Sequence, residues 1–273
     1  MLPHHHLYEA AWGVAGLAWG LGGALLLRTR AGGAATWPRL LLLGVLAIGA
    51  TLLGARAHFV LLAPDLLQAL GWRALVAPLA EGAGLRITGG LLAGLAVVAA
   101  LGPFATGHRV GRAAVADALV PAVGFAVAVG RLGCFADGCC FGTPCTAPWC
   151  PRFPSGSPAW WNHVAQGLVT PDAPASSAVH PVQLYLGLAA LLSSVATIAA
   201  LRRARVPDGV HALAFVALFS LLRALVEPLR ESRFGAGVPH ESVVDLLIAA
   251  VAVAMLARRL GAQRVAAPLA SDS

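Results

Sequence analysis

Apolar residues in this chain come in blocks rather than in alternation. Seven blocks can be drawn, over residues 8–27, 40–62, 87–104, 114–130, 182–201, 210–227 and 243–257. A helix needs about 20 apolar residues to cross the hydrocarbon core of a bilayer, and the blocks approach that length. "GLAWGLGGALLL" and "GGLLAGLAVVAAL" add frequent glycine, which lets helix backbones approach closely inside a membrane. The pattern predicts an all-α polytopic membrane protein of about seven transmembrane helices, forming a single integral membrane domain over residues 1–273.

The polar gaps between blocks carry the topology signal. Arg28, Arg30 and Arg39 separate the first two blocks, Arg109 and Arg112 the third and fourth, and Arg202, Arg203 and Arg205 the fifth and sixth. Arg258, Arg259 and Arg264 follow the seventh. If seven segments alternate, these four clusters share one side, and arginine-rich loops stay in the cytoplasm. The N-terminus is therefore expected outside and the C-terminus inside a bacterial cytoplasmic (inner) membrane. The one long connection, residues 131–181, falls outside, is rich in proline and holds all five cysteines. Long connections with little periodicity inside a compact protein tend to be functional.

Composition narrows the class. Of 273 residues 58% are hydrophobic and only 11% charged, against about 25% charged in soluble domains. The formal charge of +7 comes from arginine alone. Those arginines sit in short clusters between apolar blocks, so they mark membrane topology and no nucleic-acid partner is expected. The first residues carry no positive stretch ahead of the apolar block, so no cleaved signal peptide is expected.

Charges at membrane depth are the candidate chemistry, because a central arginine costs about 2.5–3.5 kcal/mol on insertion scales and so faces a cavity or partner. Arg131 ends the fourth block, Arg223 lies inside the sixth with Glu227 one turn on, and Arg56 lies inside the second with His58 two residues later. A guanidinium fork suits bidentate phosphate recognition, so arginines near the outer leaflet suggest an anionic lipid head group. Arg223 and Glu227 also have the spacing of an i,i+4 ion pair. His180 opens "HPVQLY", where the proline sets a helix start. At a helix N-terminus the dipole disfavours a positive imidazole, which leaves a candidate base or hydrogen-bond donor.

The cysteines follow C-x4-C-C-x4-C-x4-C. Zinc and iron–sulfur sites usually contain C-x2-C pairs, and this run has none, so neither a metal nor another cofactor is expected. In an oxidising compartment paired cysteines form disulfides, and the leading expectation is two disulfides in the loop with one thiol left over. A redox-active pair, or a nucleophile at Cys134 or Cys139, is the alternative, and a metal site is the remaining reading.

The stretch "GRLGCFADGCCFG" resembles the signature of the bacterial prolipoprotein diacylglyceryl transferase family. "GARAHFVL", "GLRITGGLLAG", "HPVQLY" and "LLRALVEPLRE" are similar to further motifs of that family, in the same order along the chain. The resemblance implies transfer of the diacylglyceryl group of phosphatidylglycerol to the thiol of a lipobox cysteine in a secreted prolipoprotein, drawing on membrane lipid. It implies catalytic roles for Arg131, Arg223, His180 and Glu227. Arg131 and Arg223 would hold the phosphate, Glu227 would orient Arg223, and His180 or His58 would assist thiol deprotonation. It implies substrate binding at Gly89, Gly90, Gly133, Gly138, Gly142, Tyr185 and Arg230. Cys134 and Cys139 stand where the family signature has asparagine and glutamate, His58 where it has tyrosine, and Thr88 where it has histidine; Cys134, Cys139 and His58 are counted with the binding residues. The rivals are other lipid or thiol–disulfide chemistry in a divergent membrane protein, and a non-catalytic role. An oxidoreductase would be expected to show C-x-x-C. A transporter would need charges continuing to the inner face, where only Asp117 is a candidate.

Overall fold

A computed structural model describes residues 4–61, 64–75, 87–201, 206–231 and 239–269. The described chain is helical, and among the described residues the β-type contacts are isolated bridges. The helices are α1 (His4–Leu17), α2 (Gly23–Arg30), α3 (Trp37–Leu61), α4 (Pro64–Leu70), α5 (Ile87–Ala105), α6 (Arg112–Asp137), α7 (Pro158–Ala165), α8 (Val182–Leu201), α9 (Val210–Val226) and α10 (Pro239–Leu269). A π-helical turn, Ala18–Gly22, joins α1 to α2, and 3-10 turns follow α4 (Gly71–Leu75) and α9 (Glu227–Leu229).

Five helical stretches among the described residues are long and apolar enough to cross a membrane: Ala10–Arg30, Trp37–Leu61, Arg112–Asp137, Val182–Leu201 and Val210–Leu229. The third apolar block lies in α5, where Leu92–Ala105 is a shorter apolar helix. The seventh lies within α10. Large apolar side chains such as Leu42, Val45, Leu52 and Leu53 of α3 stand exposed. Contiguous apolar exposure on this scale marks an interaction surface, and on a multi-pass membrane protein that surface is lipid.

The chain divides into two compact units. One comprises Trp19–Leu119, the other Met1–Ala18 with Val120–Ser273. In the first, α3 and α5 cross at glycines. A Cβ on Gly54 would collide with Ala93 Cβ and the Gly89 carbonyl, and one on Gly90 would come within 2.8 Å of the Thr51 carbonyl. Without a hydrophobic drive between helices in lipid, such close backbone packing is what associates them.

In the second unit α6 crosses α8 by the same device. A Cβ on Gly124 would lie 2.5 Å from Ser194 Cβ, and Ser194 Oγ donates to the Val120 carbonyl at 3.2 Å. The long connection is more ordered than its composition suggests. Ser157 caps α7, its Oγ accepting from Trp160 N at 3.3 Å, with Pro158 at the first helical position. Phe141, Phe153, Ala159 and Val179 make a small apolar core beneath it.

Candidate active site

α6 does not stop at residue 130, where the apolar block ends. It runs on to Asp137, so Arg131 and Cys134 are helical residues in its last turns. Arg131 is only 8% exposed. Its Nε is buried with no hydrogen-bond partner among the described residues. Gly187 of α8 makes room for it, since a Cβ there would come within 3.3 Å of Arg131 Cβ. Gly133, on the same turn, packs close to α1, 2.7 Å separating its would-be Cβ from Ala11 Cβ.

After Asp137 the chain reverses. Gly138 has φ +74°, where a side chain is strained, and its would-be Cβ would meet Phe153 at 3.0 Å. Cys139 N donates back to the Cys134 carbonyl at 3.1 Å. Cys140 itself has φ +55°, a left-handed conformation uncommon outside glycine. Gln183, fully buried on α8, donates from Nε2 to the Cys139 carbonyl at 2.7 Å. These constraints bring the sulfurs of Cys134, Cys139 and Cys140 within 4.8 Å of one another.

The expected second disulfide is therefore corrected. Cys145 and Cys150 are bonded to each other, while Cys134, Cys139 and Cys140 are thiols. The reversal at Gly138 turns Cys139 and Cys140 back toward α6 instead of forward along the loop. Cys140 is held well below the usual thiol range, by hydrogen bonds with Cys134 and Cys139 and then by the Arg131 and Arg230 guanidiniums. Cys139 is pushed up, by hydrogen bonding with Cys134 and Cys140 and by burial.

Residues 141–145 form the centre of the loop and are gripped on both sides. Gly142 N donates to the His180 carbonyl at 3.0 Å and His180 N to the Thr143 carbonyl at 3.0 Å. On the other flank Thr143 N donates to the Leu229 carbonyl at 2.8 Å and Glu231 N to the Phe141 carbonyl at 3.2 Å. Gly142 is the pivot, paired in an antiparallel bridge with Arg230. A Cβ there would lie 2.6 Å from the Leu229 carbonyl and 2.7 Å from both His180 Cβ and its carbonyl. His180 sits just ahead of α8, with its Nδ1 buried and lacking a hydrogen-bond partner among the described residues. Tyr185 Oη, one turn into α8, accepts from Trp149 Nε1 at 3.1 Å.

Arg223 and Glu227 stand at the end of α9. Arg223 Nε lies 3.0 Å from Asp245 Oδ2 of α10, and Glu227 Oε1 accepts from Arg230 Nη1 at 3.2 Å. Asp245, a buried carboxylate, and Gln183, the buried amide that clamps Cys139, were both missed by sequence reasoning. Both come from helices whose pattern alone reads as uninterrupted core.

His58, Gly89 and Gly90 belong to the other unit. There Gly89 N donates to His58 Nδ1 at 3.1 Å, and Gly89 packs on Gly54 and His58 so closely that a Cβ would collide with both. Arg56, buried, donates from Nε to the Ala74 carbonyl at 2.9 Å and lies over the Phe59 ring. The side chain of Thr88 falls outside the described residues, as do Arg202, Arg203 and Arg205.

Comparison with known proteins adds lineage to this geometry. The family model of prolipoprotein diacylglyceryl transferase matches residues 10–258. A Clostridium tetani protein named phosphatidylglycerol–prolipoprotein diacylglyceryl transferase is 31% identical over 114 residues, 42% of this chain and 40% of that protein. A Nocardia farcinica protein of the same name is 30% identical over 154 residues, 54% of this chain and 30% of that protein. This chain thus spans less than half the length of either relative.

Proposed function

The chain belongs to the prolipoprotein diacylglyceryl transferase family, and on that premise we propose that it moves the diacylglyceryl group of phosphatidylglycerol onto the lipobox cysteine thiol of a secreted prolipoprotein. The observation that carries the reading is Arg131. It is a buried cation whose Nε has no hydrogen-bond partner among the described residues, at the end of a membrane helix beside a glycine-lined turn. A buried polar group left unsatisfied is costly, and a lipid phosphate supplies what this one lacks.

In this reading the acceptor sulfur attacks the glyceryl carbon, a C–S bond forms, and the C–O bond to phosphate breaks. The electron pair leaves with the oxygen of glycerol-1-phosphate. Arg131 and Arg223 stabilise charge as it develops on that phosphate. Asp245 holds Arg223 in orientation, and Glu227 does the same for Arg230. His180 is the candidate to take the thiol proton, since the loop that carries the cysteines is hydrogen-bonded to its backbone. Gly138 and Gly142 keep the backbone turn tight enough to leave space for the head group.

The site is assigned to the outer side of a bacterial cytoplasmic membrane, with the N-terminus outside and the C-terminus in the cytoplasm. The arginine clusters support this side, and so does Arg259, which donates to the Asp208 carbonyl at 2.6 Å and so joins the end of α10 to the α8–α9 connection. The test is direct. Purified protein, labelled phosphatidylglycerol and a lipobox peptide should yield the thioether and glycerol-1-phosphate in equal amounts. Folded protein that binds both substrates and releases neither product would refute the assignment.

A further inference from the structure

The sequence predicts no metal, because C-x4-C-C contains no C-x-x-C pair. The fold builds from it what the spacing hides. Cys134 comes from the last turns of α6, and Cys139 and Cys140 from the reversed strand of chain after Gly138. Their three sulfurs lie within 4.8 Å of one another. A divalent ion with metal–sulfur bonds of about 2.3 Å would hold three thiolates about 4 Å apart, so small side-chain rotations suffice. The backbone behind the thiols is fixed at both ends. Cys139 N is bonded to the Cys134 carbonyl at 3.1 Å, and the Cys139 carbonyl accepts from buried Gln183 at 2.7 Å. Cys140 keeps a left-handed backbone, φ +55°, which costs of order 1–3 kcal/mol and persists only where the surroundings impose it. The one disulfide of the described residues, Cys145–Cys150, lies farther along the loop and leaves this trio as thiols.

Three properties of the cluster point to a ligand set with one open position. Thiolates select soft or borderline ions such as zinc over magnesium or calcium. Among the described residues no histidine, carboxylate or fourth cysteine joins the trio, and three protein ligands with a vacant fourth are the pattern of reactive rather than structural zinc sites. Arg131 lies one turn before Cys134 on α6 and is buried, and its positive charge offsets part of the surplus negative charge of three thiolates around a divalent cation.

The geometry points to Cys134, Cys139 and Cys140 as the ligands of a zinc-class divalent cation whose fourth position takes the acceptor cysteine as a thiolate, making metal-bound sulfur the nucleophile. The second half rests on the transfer reaction proposed above. The acceptor thiol displaces a coordinated water and its proton passes to His180, since a coordinating thiol is held as the thiolate. Its sulfur lone pair forms the C–S bond while the C–O bond breaks toward phosphate. The product thioether is neutral and a weak ligand, so water returns to the ion; no oxidation state changes. In such a site coordination to the ion prepares the sulfur as a thiolate.

The experiment uses the full chain, purified reduced in detergent and equilibrated with Zn2+ or Co2+. Mass spectrometry of the metal should find about one zinc per chain. The cobalt form should show sulfur-to-cobalt charge transfer in the near ultraviolet and tetrahedral d–d bands in the visible. A lipobox peptide should shift the d–d bands, and its cysteine-to-serine analogue should not. Cys134→Ser, Cys139→Ser and Cys140→Ser should each lower zinc affinity at least tenfold. If those variants fail to fold, alkylating the three thiols in folded wild-type protein should abolish metal uptake. No metal on the reduced wild-type protein, or uptake unchanged by alkylation, overturns the site. Bands that ignore the peptide thiol, or transfer that survives complete metal removal, overturn the acceptor role and leave the transferase reading standing. Metal uptake with a thiol-dependent shift but no diacylglyceryl transfer keeps the metal site and removes the transferase reading instead.

Discussion

Gly142→Ala is the substitution whose cost can be worked most closely from the structure. The added methyl would lie 2.6 Å from the Leu229 carbonyl, 2.7 Å from His180 Cβ and 2.7 Å from the His180 carbonyl. Comfortable carbon contacts are about 3.5–4.0 Å, so neighbours on opposite sides must each give way by most of an ångström. None is the tip of a flexible side chain. The segments 178–180 and 229–231 must therefore part, stretching the bonds of Gly142 N to His180 O (3.0 Å) and Thr143 N to Leu229 O (2.8 Å). Overpacking costs about 1–3 kcal/mol, and each hydrogen bond lost adds about 1 kcal/mol, for a total of about 3 kcal/mol. At roughly 2–4 °C per kcal/mol, the melting midpoint in detergent should fall by about 6–12 °C. The control is Gly49→Ala in α3, where a Cβ meets nothing within 4 Å and the midpoint should barely move. Gly142→Ala melting within 1 °C of wild type refutes the reasoning. A normal midpoint with lost phosphatidylglycerol binding would instead make Gly142 a direct ligand contact.

Arg131→Lys should insert and fold yet lose at least tenfold in phosphatidylglycerol binding, because an ammonium lacks the planar fork; unchanged binding in lipid nanodiscs would remove the phosphate role. Asp245→Asn should destabilise by about 3–5 kcal/mol, the cost of breaking a buried ion pair at one partner, read as thermal denaturation in detergent; an effect under 1 kcal/mol would show that Asp245 does not hold Arg223. Non-reducing peptide mapping should recover Cys145 joined to Cys150 and three alkylatable thiols, and any crosslink among Cys134, Cys139 and Cys140 in unoxidised material contradicts the arrangement. His163, fully buried, has its pKa lowered from 6.5 by desolvation. The unfolded chain then binds the proton first, so stability should be full above about pH 6.5 and fall as pH drops below it. His163→Gln, which can still accept from Ser177 N, should flatten that acid limb, and an unchanged pH profile would exclude His163 as its source.

Most helices were legible because bilayer depth imposes length. The blocks at 40–62, 182–201 and 210–227 became α3, Trp37–Leu61, α8, Val182–Leu201, and α9, Val210–Val226. The fourth block was cut short for a physical reason. Apolarity stops at Arg131, but that arginine and Asp137 are buried against protein, so the helix continues through them. α7 was missed although its start is written in the sequence, as the Ser157 cap and Pro158 at the first position. Asp245 could not be paired in advance, since its partner Arg223 lies on a neighbouring helix and no spacing rule links them. Arg131, Arg223, His180, Glu227 and Arg230 were all singled out by charge or motif, and the structure gathers them into one unit. It gives His58, Gly89 and Gly90 to the other, where the glycines serve a helix crossing.

Two of the four departures from the family signature fall together, while His58 and Thr88 belong to the other unit. Cys134 and Cys139 stand where the resemblance puts an amide and a carboxylate, and with Cys140 their sulfurs lie within 4.8 Å of one another. Asparagine and glutamate at such positions offer hard oxygen acceptors that bind and orient protons. Thiols accept hydrogen bonds weakly and ligate soft ions strongly. Substituting the signature residues one by one with cysteine, without convergence, would only weaken the site. Three sulfurs within 4.8 Å of one another instead suit coordination better than proton transfer. In the proposed transfer Arg131 and Arg223 still meet the phosphate, so that reading keeps the same lipid donor. What the proposed metal site alters is the way the acceptor sulfur is prepared for attack.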